Sequence, residues 1–179
     1  MLWASCDVGT HSPDEKPCGF TWGNVIGRDL DEYCVWPEYE TTPGFNLATD
    51  IPVNETYDAA YANMKSPWRM PTKNEFKELI DNCVIDYNVQ CGDSVCAKFT
   101  SIHNGNFILF RYNVKTGDNN TYNYSQYWTS TSNIATHEPP HQAPYYAYIS
   151  RSSERAGTSY HDYWFSKNDT RCVRGVLDP

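Results

Sequence analysis

One short segment of the chain carries side chains of the types that bind metal ions. His137-Glu138-Pro139-Pro140-His141 holds two imidazoles and a carboxylate within five residues. A metal site requires its ligands to converge on one point. The two prolines keep this segment extended and point its side chains apart, and no Cys or His follows at a spacing typical of zinc sites. We therefore predict that the segment holds no metal ion.

Nucleophilic side chains are present but lack the arrangement that catalysis requires. Ser, His and Asp residues all occur in the chain. None of the serines stands in the Gly-x-Ser-x-Gly context that exposes a nucleophile on a tight turn between a strand and a helix. We therefore predict that the protein is not an enzyme and has no catalytic residues and no cofactor.

The stretch from residue 118 to residue 170 has the composition of a recognition surface. It includes eight of the fourteen tyrosines, together with many Ser, Thr, Asn and His residues. Tyr and Trp supply large contact areas at low entropic cost, while Ser and Asn supply adaptable hydrogen bonds. The alternative is that these aromatic rings fill a small core of their own. The candidate ligand-binding residues are Arg151, Ser153, Arg155, Tyr160, His161, Tyr163 and Trp164.

Seven cysteines leave two interpretations open. They stand at positions 6, 18, 34, 83, 91, 96 and 172, an odd number, so that at least one thiol has no partner within the chain. Cys91 and Cys96 flank the turn Gly92-Asp93-Ser94-Val95 and could close a small disulfide loop. Buried, reduced thiols are the other interpretation. Cys83 fits this second one best because it lies on an apolar stripe.

Local patterns predict the elements that position these residues. Residues 10–56 are rich in Pro, Gly, Asp and Glu and are predicted to form long ordered loops. Helices are predicted at 57–64 and 72–83. The second begins with Thr72 as N-cap and Glu75 as its capping-box partner, and its apolar residues recur at helical spacing. Strands are predicted at 97–102, 106–112, 126–132, 145–151 and 170–177.

Length and charge restrict the fold class and the partners. Helices early and strands late indicate the α+β class, and 179 residues favour a single domain spanning 1–179. A net charge of -8 without a basic cluster argues against binding to nucleic acid. No apolar run approaches the roughly 20 residues that span a bilayer, so we expect no membrane insertion.

Six segments along the chain together resemble one known family, in that family's own order. The most specific is Trp68-Arg69-Met70-Pro71-Thr72, followed by the Glu75 helix. The others are Leu2–Gly9, Tyr57–Met64, Lys98–Phe110, Tyr127–Thr131 and Arg171–Arg174. The chain resembles the Fibrobacter-type major paralogous domains of bacteria and phages, which have a C-type-lectin-like fold.

This resemblance implies a particular version of the α+β class. Two helices would accompany a small mixed, mostly antiparallel sheet with long loops. The N- and C-terminal strands would be adjacent, which would bring Cys6 near Cys172. C-type lectins bind calcium and sugar through an acidic-Pro-Asn loop and a Trp-Asn-Asp strand. Here only Glu138-Pro139-Pro140 and Lys167-Asn168-Asp169 are similar to these motifs, and each is imperfect. Their oxygen atoms could bind calcium, but we expect no calcium site.

The resemblance also carries an expectation about function. Residues 118–170 look like the variable region of proteins diversified by retroelements, which share this fold and alter adenine-containing codons. It implies a non-catalytic receptor-recognition module of a surface or phage protein, with a protein or glycan ligand on another cell or surface. The location would be extracellular, on a cell surface or on a virion. The start of the chain, Met1–Cys6, lacks the features of a signal peptide, which fits either a trimmed leader or a phage source.

A second hypothesis belongs to a different class. The domain would be a structural unit of a cell-envelope, fibre or virion protein, and its polar face would be solvated without a dedicated ligand site.

Overall fold

The structure, a computed structural model, describes residues 1–29, 50–116, 121–135, 141–160 and 170–178. At 114–116, 121–122, 134–135 and 141–142 it describes the backbone only. Two helices and nine strands form in this part of the chain. Their bounds are β1 Leu2–Trp3, α1 Ala59–Met64, α2 Lys73–Asp81, β2 Cys83–Cys91, β3 Ser94–Ser101, β4 Phe107–Arg111, β5 Val114–Thr116, β6 Thr121–Ala135, β7 His141–Ser150, β8 Arg155–Tyr160 and β9 Val176–Leu177.

Local sequence signals determine where α2 begins. The Thr72 hydroxyl accepts a hydrogen bond from the backbone N–H of Glu75 at 3.2 Å, and the Glu75 carboxylate accepts one from the N–H of Thr72 at 2.7 Å. The predicted capping box is therefore confirmed. Both terminal nitrogens of Arg69 also donate to Glu75, at 2.7 and 2.9 Å. This bidentate pair fixes the segment that leads into the helix.

The helix ends earlier than the sequence pattern predicted. Asn82 closes α2 with its backbone N–H bonded to the carbonyl of Glu78 at 3.1 Å. Cys83 is therefore not on the helix but begins β2, where side chains alternate between half-buried and exposed. The β-branched residues Val84 and Ile85 favour a strand at this point. The prediction of a helix continuing to 83 was wrong.

The strands form three antiparallel sheets within the described ranges. Their orders are β1-β9, β2-β3-β4 and β5-β6-β7-β8. The α+β class, two helices and mostly antiparallel pairing are confirmed, whereas the single small mixed sheet was a wrong prediction. A parallel contact does occur, at an isolated bridge between Tyr127 and Cys172. The strands β3, β4, β6 and β7 overlap predicted ones, and β9 forms only the last two residues of the strand predicted at 170–177, while β2, β5 and β8 had not been predicted.

The first and last strands are neighbours, as the resemblance implied. Leu2 lies opposite Leu177 and Trp3 opposite Val176 in the β1-β9 pair. Val176 also exchanges two backbone hydrogen bonds with Arg69, each at 2.9 Å. The end of the chain is thus held between the N-terminal strand and the segment before α2.

A buried ion pair between Arg174 and Asp7 also joins the two ends of the chain. Arg174 Nε donates to Asp7 at 2.6 Å, and the arginine also donates to the carbonyls of Ala4 and Leu109 at 3.0 and 2.9 Å. The Tyr127 hydroxyl donates to Asp7 at 3.2 Å. Burial raises the pKa of Asp7, although the charge of Arg174 acts to lower it. Burial also disfavours the charged form of Arg174, but Asp7 and Tyr127 together raise the pKa of this arginine. The short contact and the tyrosine donor favour the ionised pair.

The four-stranded sheet separates two cores because successive side chains of a strand point to opposite faces. One side, here the inner face, packs against α2 and the three-stranded sheet. It presents Ser125, Tyr127, Ala147, Ile149 and Ala156. The other side, the outer face, packs in part against the N-terminal segment around Phe20 and Trp22. It presents Tyr124, Gln126, Trp128, Tyr146, Tyr148, Ser150, Arg155, Gly157 and Ser159.

The described cysteines are free thiols, and Cys34 lies outside the described residues. Cys6 and Cys172, which the resemblance was expected to bring near each other, are both free and have other partners. The Cys6 thiol donates to the carbonyl of Thr10 at 3.3 Å, and the Cys172 sulfur accepts from the Asn113 amide at 2.8 Å. Burial raises the pKa of Cys172 well above its ordinary value, so this thiol stays protonated and poorly reactive.

Candidate recognition surface

The hairpin of β7 and β8 carries the described members of the predicted ligand-binding set. They are Arg151, Ser153, Arg155 and Tyr160, while His161, Tyr163 and Trp164 lie outside the described residues. β7 lies between β6 and β8, with Ser150 opposite both Tyr124 and Arg155. The turn between β7 and β8 includes Glu154 in a left-handed conformation, with φ +50°. Three of the four residues therefore lie in or next to this turn.

Two of the predicted binding residues hold the turn together. The Ser153 hydroxyl donates to the Ser150 hydroxyl at 2.7 Å. Arg151 Nε donates to the side-chain oxygen of Asn88 at 2.7 Å. Asn88 belongs to an irregular part of β2, where the pairing register with β3 shifts. Arg151 therefore ties the turn to the three-stranded sheet, and both side chains have structural roles whether or not a ligand is bound.

Arg155 and Tyr160 stand at opposite ends of β8. Arg155 lies opposite Ser150 and Tyr160 opposite Tyr145, so the two side chains also point to opposite faces. Five steps along a strand separate their Cα atoms by about 17 Å. The structure therefore separates Tyr160 from the other predicted residues that it describes.

Tyr160 belongs to a small exposed group of its own. Its side chain is 41% exposed, and its ring meets that of Tyr145 edge-on at a centroid distance of 5.2 Å. The Lys73 ammonium lies 3.9 Å from the centre of the Tyr145 ring. This group sits beside the start of α2 and not at the β7-β8 turn.

The outer face contains a tyrosine pair that the sequence had not singled out. The rings of Tyr124 and Tyr148 are nearly parallel, at 4°, with centroids 6.1 Å apart. Both side chains are half-buried, and Arg155 beside them is exposed. We call Tyr124, Tyr148, Arg155 and Gly157 the open end of the outer face. The spacing of Tyr124, Gln126 and Trp128 was the available signal, because period-two spacing places residues on one face of a strand.

Gly157 is the reason that the Tyr148 ring can lie across β8. The two residues are opposite each other in the sheet. A Cβ atom at Gly157 would lie 2.8–3.0 Å from the Tyr148 hydroxyl and ring carbons. The missing side chain therefore makes room for the ring.

Trp128 and Tyr146 form the covered end of the same face. Both are buried, and their rings meet edge-on at 6.5 Å. The guanidinium carbon of Arg171 lies 4.1 Å from the centre of each ring. Its Nε donates to Gln126 at 3.1 Å. Because the buried cation contacts both rings, it stabilises their positions and makes the covered end rigid.

The open end combines aromatic surface with hydrogen-bond donors and one positive charge. Burial raises the pKa of Tyr124, as do the neighbouring Tyr146 and Tyr148, against the opposing charge of Arg171. Its phenol therefore remains a neutral hydrogen-bond donor at physiological pH. Arg155 adds a local positive charge on a protein whose net charge is -8. Aromatic area with a few directional donors is typical of recognition surfaces.

The described ranges contain neither a cluster of metal-ligating side chains nor a helix that could span a membrane. No three His, Cys, Asp or Glu side chains there are grouped so that they could hold a metal ion. The candidate segments His137–Pro140 and Asn168–Asp169 lie outside those ranges. No helix in the part of the chain that the structure describes is long and apolar enough to cross a bilayer.

A cleft lies away from the tyrosine surface. It has a volume of about 410 Å³ and is bordered by Trp3, Glu78, Leu79, His103 and Phe107, among others. None of the predicted ligand-binding residues lines it.

Comparisons with known proteins do not add a relative. No protein-family model, curated protein or solved structure matches the chain significantly.

Proposed function

We propose that this chain is a C-type-lectin-like recognition module that binds a protein or glycan ligand through the open end of its outer face. It performs no chemistry and needs no cofactor. It belongs to a surface or phage protein and works outside the cell, on a cell surface or on a virion. The observation that carries the proposal is the parallel Tyr124–Tyr148 pair beside exposed Arg155.

Two features support the C-type-lectin-like fold. The terminal strands pair with each other. Two helices precede the three-stranded and four-stranded sheets in the chain, and the second begins at the Trp68-Arg69-Met70-Pro71-Thr72 segment that carries the resemblance. Both features agree with the expected order of elements.

The tyrosine pair has the properties of a binding anchor. Parallel rings that are half-buried present apolar area that a ligand can cover at little cost in side-chain entropy. The covered end lies next to this pair on the same face, and Arg171 fixes it by contacting the rings of Trp128 and Tyr146. Arg155, at the edge of the surface, can donate hydrogen bonds to acidic or hydroxyl groups.

Binding assays with matched variants test this proposal. The purified protein is applied to a glycan array and to cell-surface pull-downs, with and without calcium. We expect Tyr148→Ala and Tyr124→Ala each to weaken binding at least roughly ten-fold, as removal of a central aromatic anchor does. Phe107→Ala is the control, because this ring is 59% exposed and lies on β4 of the three-stranded sheet. Calcium should have no effect.

Other outcomes of the assay would redirect the proposal. If Tyr160→Ala abolishes binding while Tyr148→Ala does not, the ligand is bound by the group beside α2. If no ligand is found in any format, the alternative of a structural domain in an envelope, fibre or virion is favoured.

Sequence variation among isolates tests the retroelement hypothesis. If the region 118–170 is diversified for recognition, substitutions should concentrate at adenine-containing codons of exposed outer-face positions. Positions 124, 148 and 155 should vary, whereas the inner-face positions 127, 147 and 149 should stay constant. Uniform variation over both faces would contradict diversification and favour the structural role.

A further inference from the structure

The β2-β3 hairpin brings two cysteines together at its tip. Cys91 lies opposite Ser94, and Val89 lies opposite Cys96, so the two cysteines are diagonal neighbours on one face of the hairpin. Along the chain they are separated only by the turn residues Gly92 and Asp93 and by Ser94 and Val95 of β3. The right-handed twist of paired strands brings one of the two diagonal pairs closer together. The two thiols also interact, because Cys91 adds to burial in raising the pKa of Cys96 to about 12.

The surroundings give the two thiols different roles. Cys96 is fully buried, whereas Cys91 is only half-buried and can be reached from solvent. Arg111 lies opposite Cys96 on β4. The buried Nε of Arg111 has no hydrogen-bond partner among the described residues. The charge of Arg111 opposes the rise that burial and Cys91 cause in the Cys96 pKa, because a cation beside a thiol favours the thiolate that disulfide exchange requires.

We propose that Cys91 and Cys96 are a redox pair that a small disulfide, such as oxidised glutathione, converts into a disulfide bond. This inference does not depend on the recognition function, because neither cysteine belongs to the open end of the outer face.

The reaction proceeds by two exchanges. The Cys91 thiolate attacks one sulfur of oxidised glutathione, forms a mixed disulfide and releases one glutathione thiolate. Cys96 then loses its proton to solvent and attacks the sulfur of Cys91. This step forms the Cys91–Cys96 bond and releases the second glutathione. Two protein thiols lose two electrons in total, and one oxidised glutathione is reduced to two thiols.

The bond would stiffen the place where the N-terminal loop meets the hairpin. Gly92, in the turn, has a φ of +55°, and a Cβ atom there would lie 2.3 Å from a carboxylate oxygen of Asp14. The loop is therefore in direct contact with the turn that the disulfide would close.

Peptide mapping of the oxidised full-length chain tests the proposal. The protein is incubated with oxidised glutathione, quenched with acid, alkylated in denaturant and cleaved before aspartate. Cleavage before Asp81, Asp86 and Asp93 places Cys83, Cys91 and Cys96 in three different peptides. We expect a disulfide between peptides 86–92 and 93–117. The fraction of Cys83 oxidised by glutathione should be at least about ten-fold lower than the fraction of Cys91 and Cys96 that forms this bond.

Variants identify the order of the two exchanges. In Cys96→Ser, glutathione should remain attached to Cys91. Cys83→Ser is the matched control, since Cys83 is half-buried on the same strand, and it should give the same linkage as the unaltered chain. The proposal is overturned if Cys91 and Cys96 are both alkylated after oxidation, or if Cys91 is linked to another cysteine. The mapping of the unaltered chain decides the matter even if a variant does not fold.

Discussion

The two ends of the outer face invite comparison, because each carries an aromatic pair on the same two strands. At the covered end, Trp128 and Tyr146 are buried, with Arg171 between their rings. At the open end, Tyr124 and Tyr148 are stacked on each other and remain half-exposed. The residue types are similar and the two pairs share the same two strands, yet only one pair is fully buried, while Tyr148 of the other packs against the edge of that core.

The difference lies in what the rest of the chain supplies to each end. The carbonyl of Phe20 accepts a hydrogen bond from the Trp128 indole at 2.7 Å, so the N-terminal segment covers that ring. Arg171 fills the space between the covered rings. Segments that are remote in sequence therefore determine whether an aromatic ring on a strand is buried or remains partly exposed.

The largest expected contrast between the ends is in stability. Trp128→Ala should lower the free energy of unfolding by about 3–5 kcal/mol, because it leaves a cavity in a closed core. Tyr148→Ala should cost less, about 1–2 kcal/mol, since that ring is partly exposed and packs only at the edge of the core. Urea unfolding of the two variants measures both values. Equal losses would mean that the open end is core.

An alkaline titration extends the comparison to the inner face. Burial raises the pKa of Tyr127, well above its ordinary value, and that of Tyr124. The neutral phenols therefore stabilise the fold fully below the unfolded pKa of about 10, and this contribution is lost as pH rises toward the folded pKa. For each such group the loss is about 1.4 kcal/mol per pH unit.

Phenylalanine variants separate the two contributions. Tyr127→Phe should flatten the loss of stability above pH 10 more than Tyr124→Phe does, because Tyr127 is fully buried. Urea unfolding at a series of pH values from 8 to 11 measures this slope. A larger effect of Tyr124→Phe would show that the open end is the less hydrated of the two sites.

The smallest expected change in stability comes from Gly157→Ala. The new methyl group would meet the Tyr148 ring, which is half-exposed and can swing aside. We expect a loss of about 1 kcal/mol or less in the free energy of unfolding. Ligand binding should nevertheless weaken, because the parallel ring pair is disrupted. Ser159→Ala, on the same strand and face, is the control and should leave both properties unchanged.

Elements with strong local signals could be predicted from the sequence, and others could not. Thr72 and Glu75 mark the start of α2 through contacts only three residues apart. The end of α2 was misjudged because Cys83 continues the helical spacing of apolar residues although it belongs to β2. β8 has few apolar residues and contains Gly157, so its strand character arises from pairing with β7.

The candidate site was predictable as a region, but of its four residues only Arg155 was predicted. The stretch 118–170 does contain the open end, but its tyrosine pair depends on the register between β6 and β7. That register includes an irregularity between Trp128 and Ser132, which no local pattern reveals. Arg151 was chosen as a ligand-binding residue, yet it donates to Asn88, sixty-three positions away in the chain. Contacts of that range cannot be derived from spacing.

The pairing of Leu2 with Leu177 has a practical consequence for engineering. Because paired Cα atoms in neighbouring strands are only about 5 Å apart, a linker of a few residues could join the two termini. New termini could then be opened at the exposed Asn104-Gly105 turn. The same geometry would let the whole unit be spliced into a surface loop of a carrier protein as a self-contained cassette.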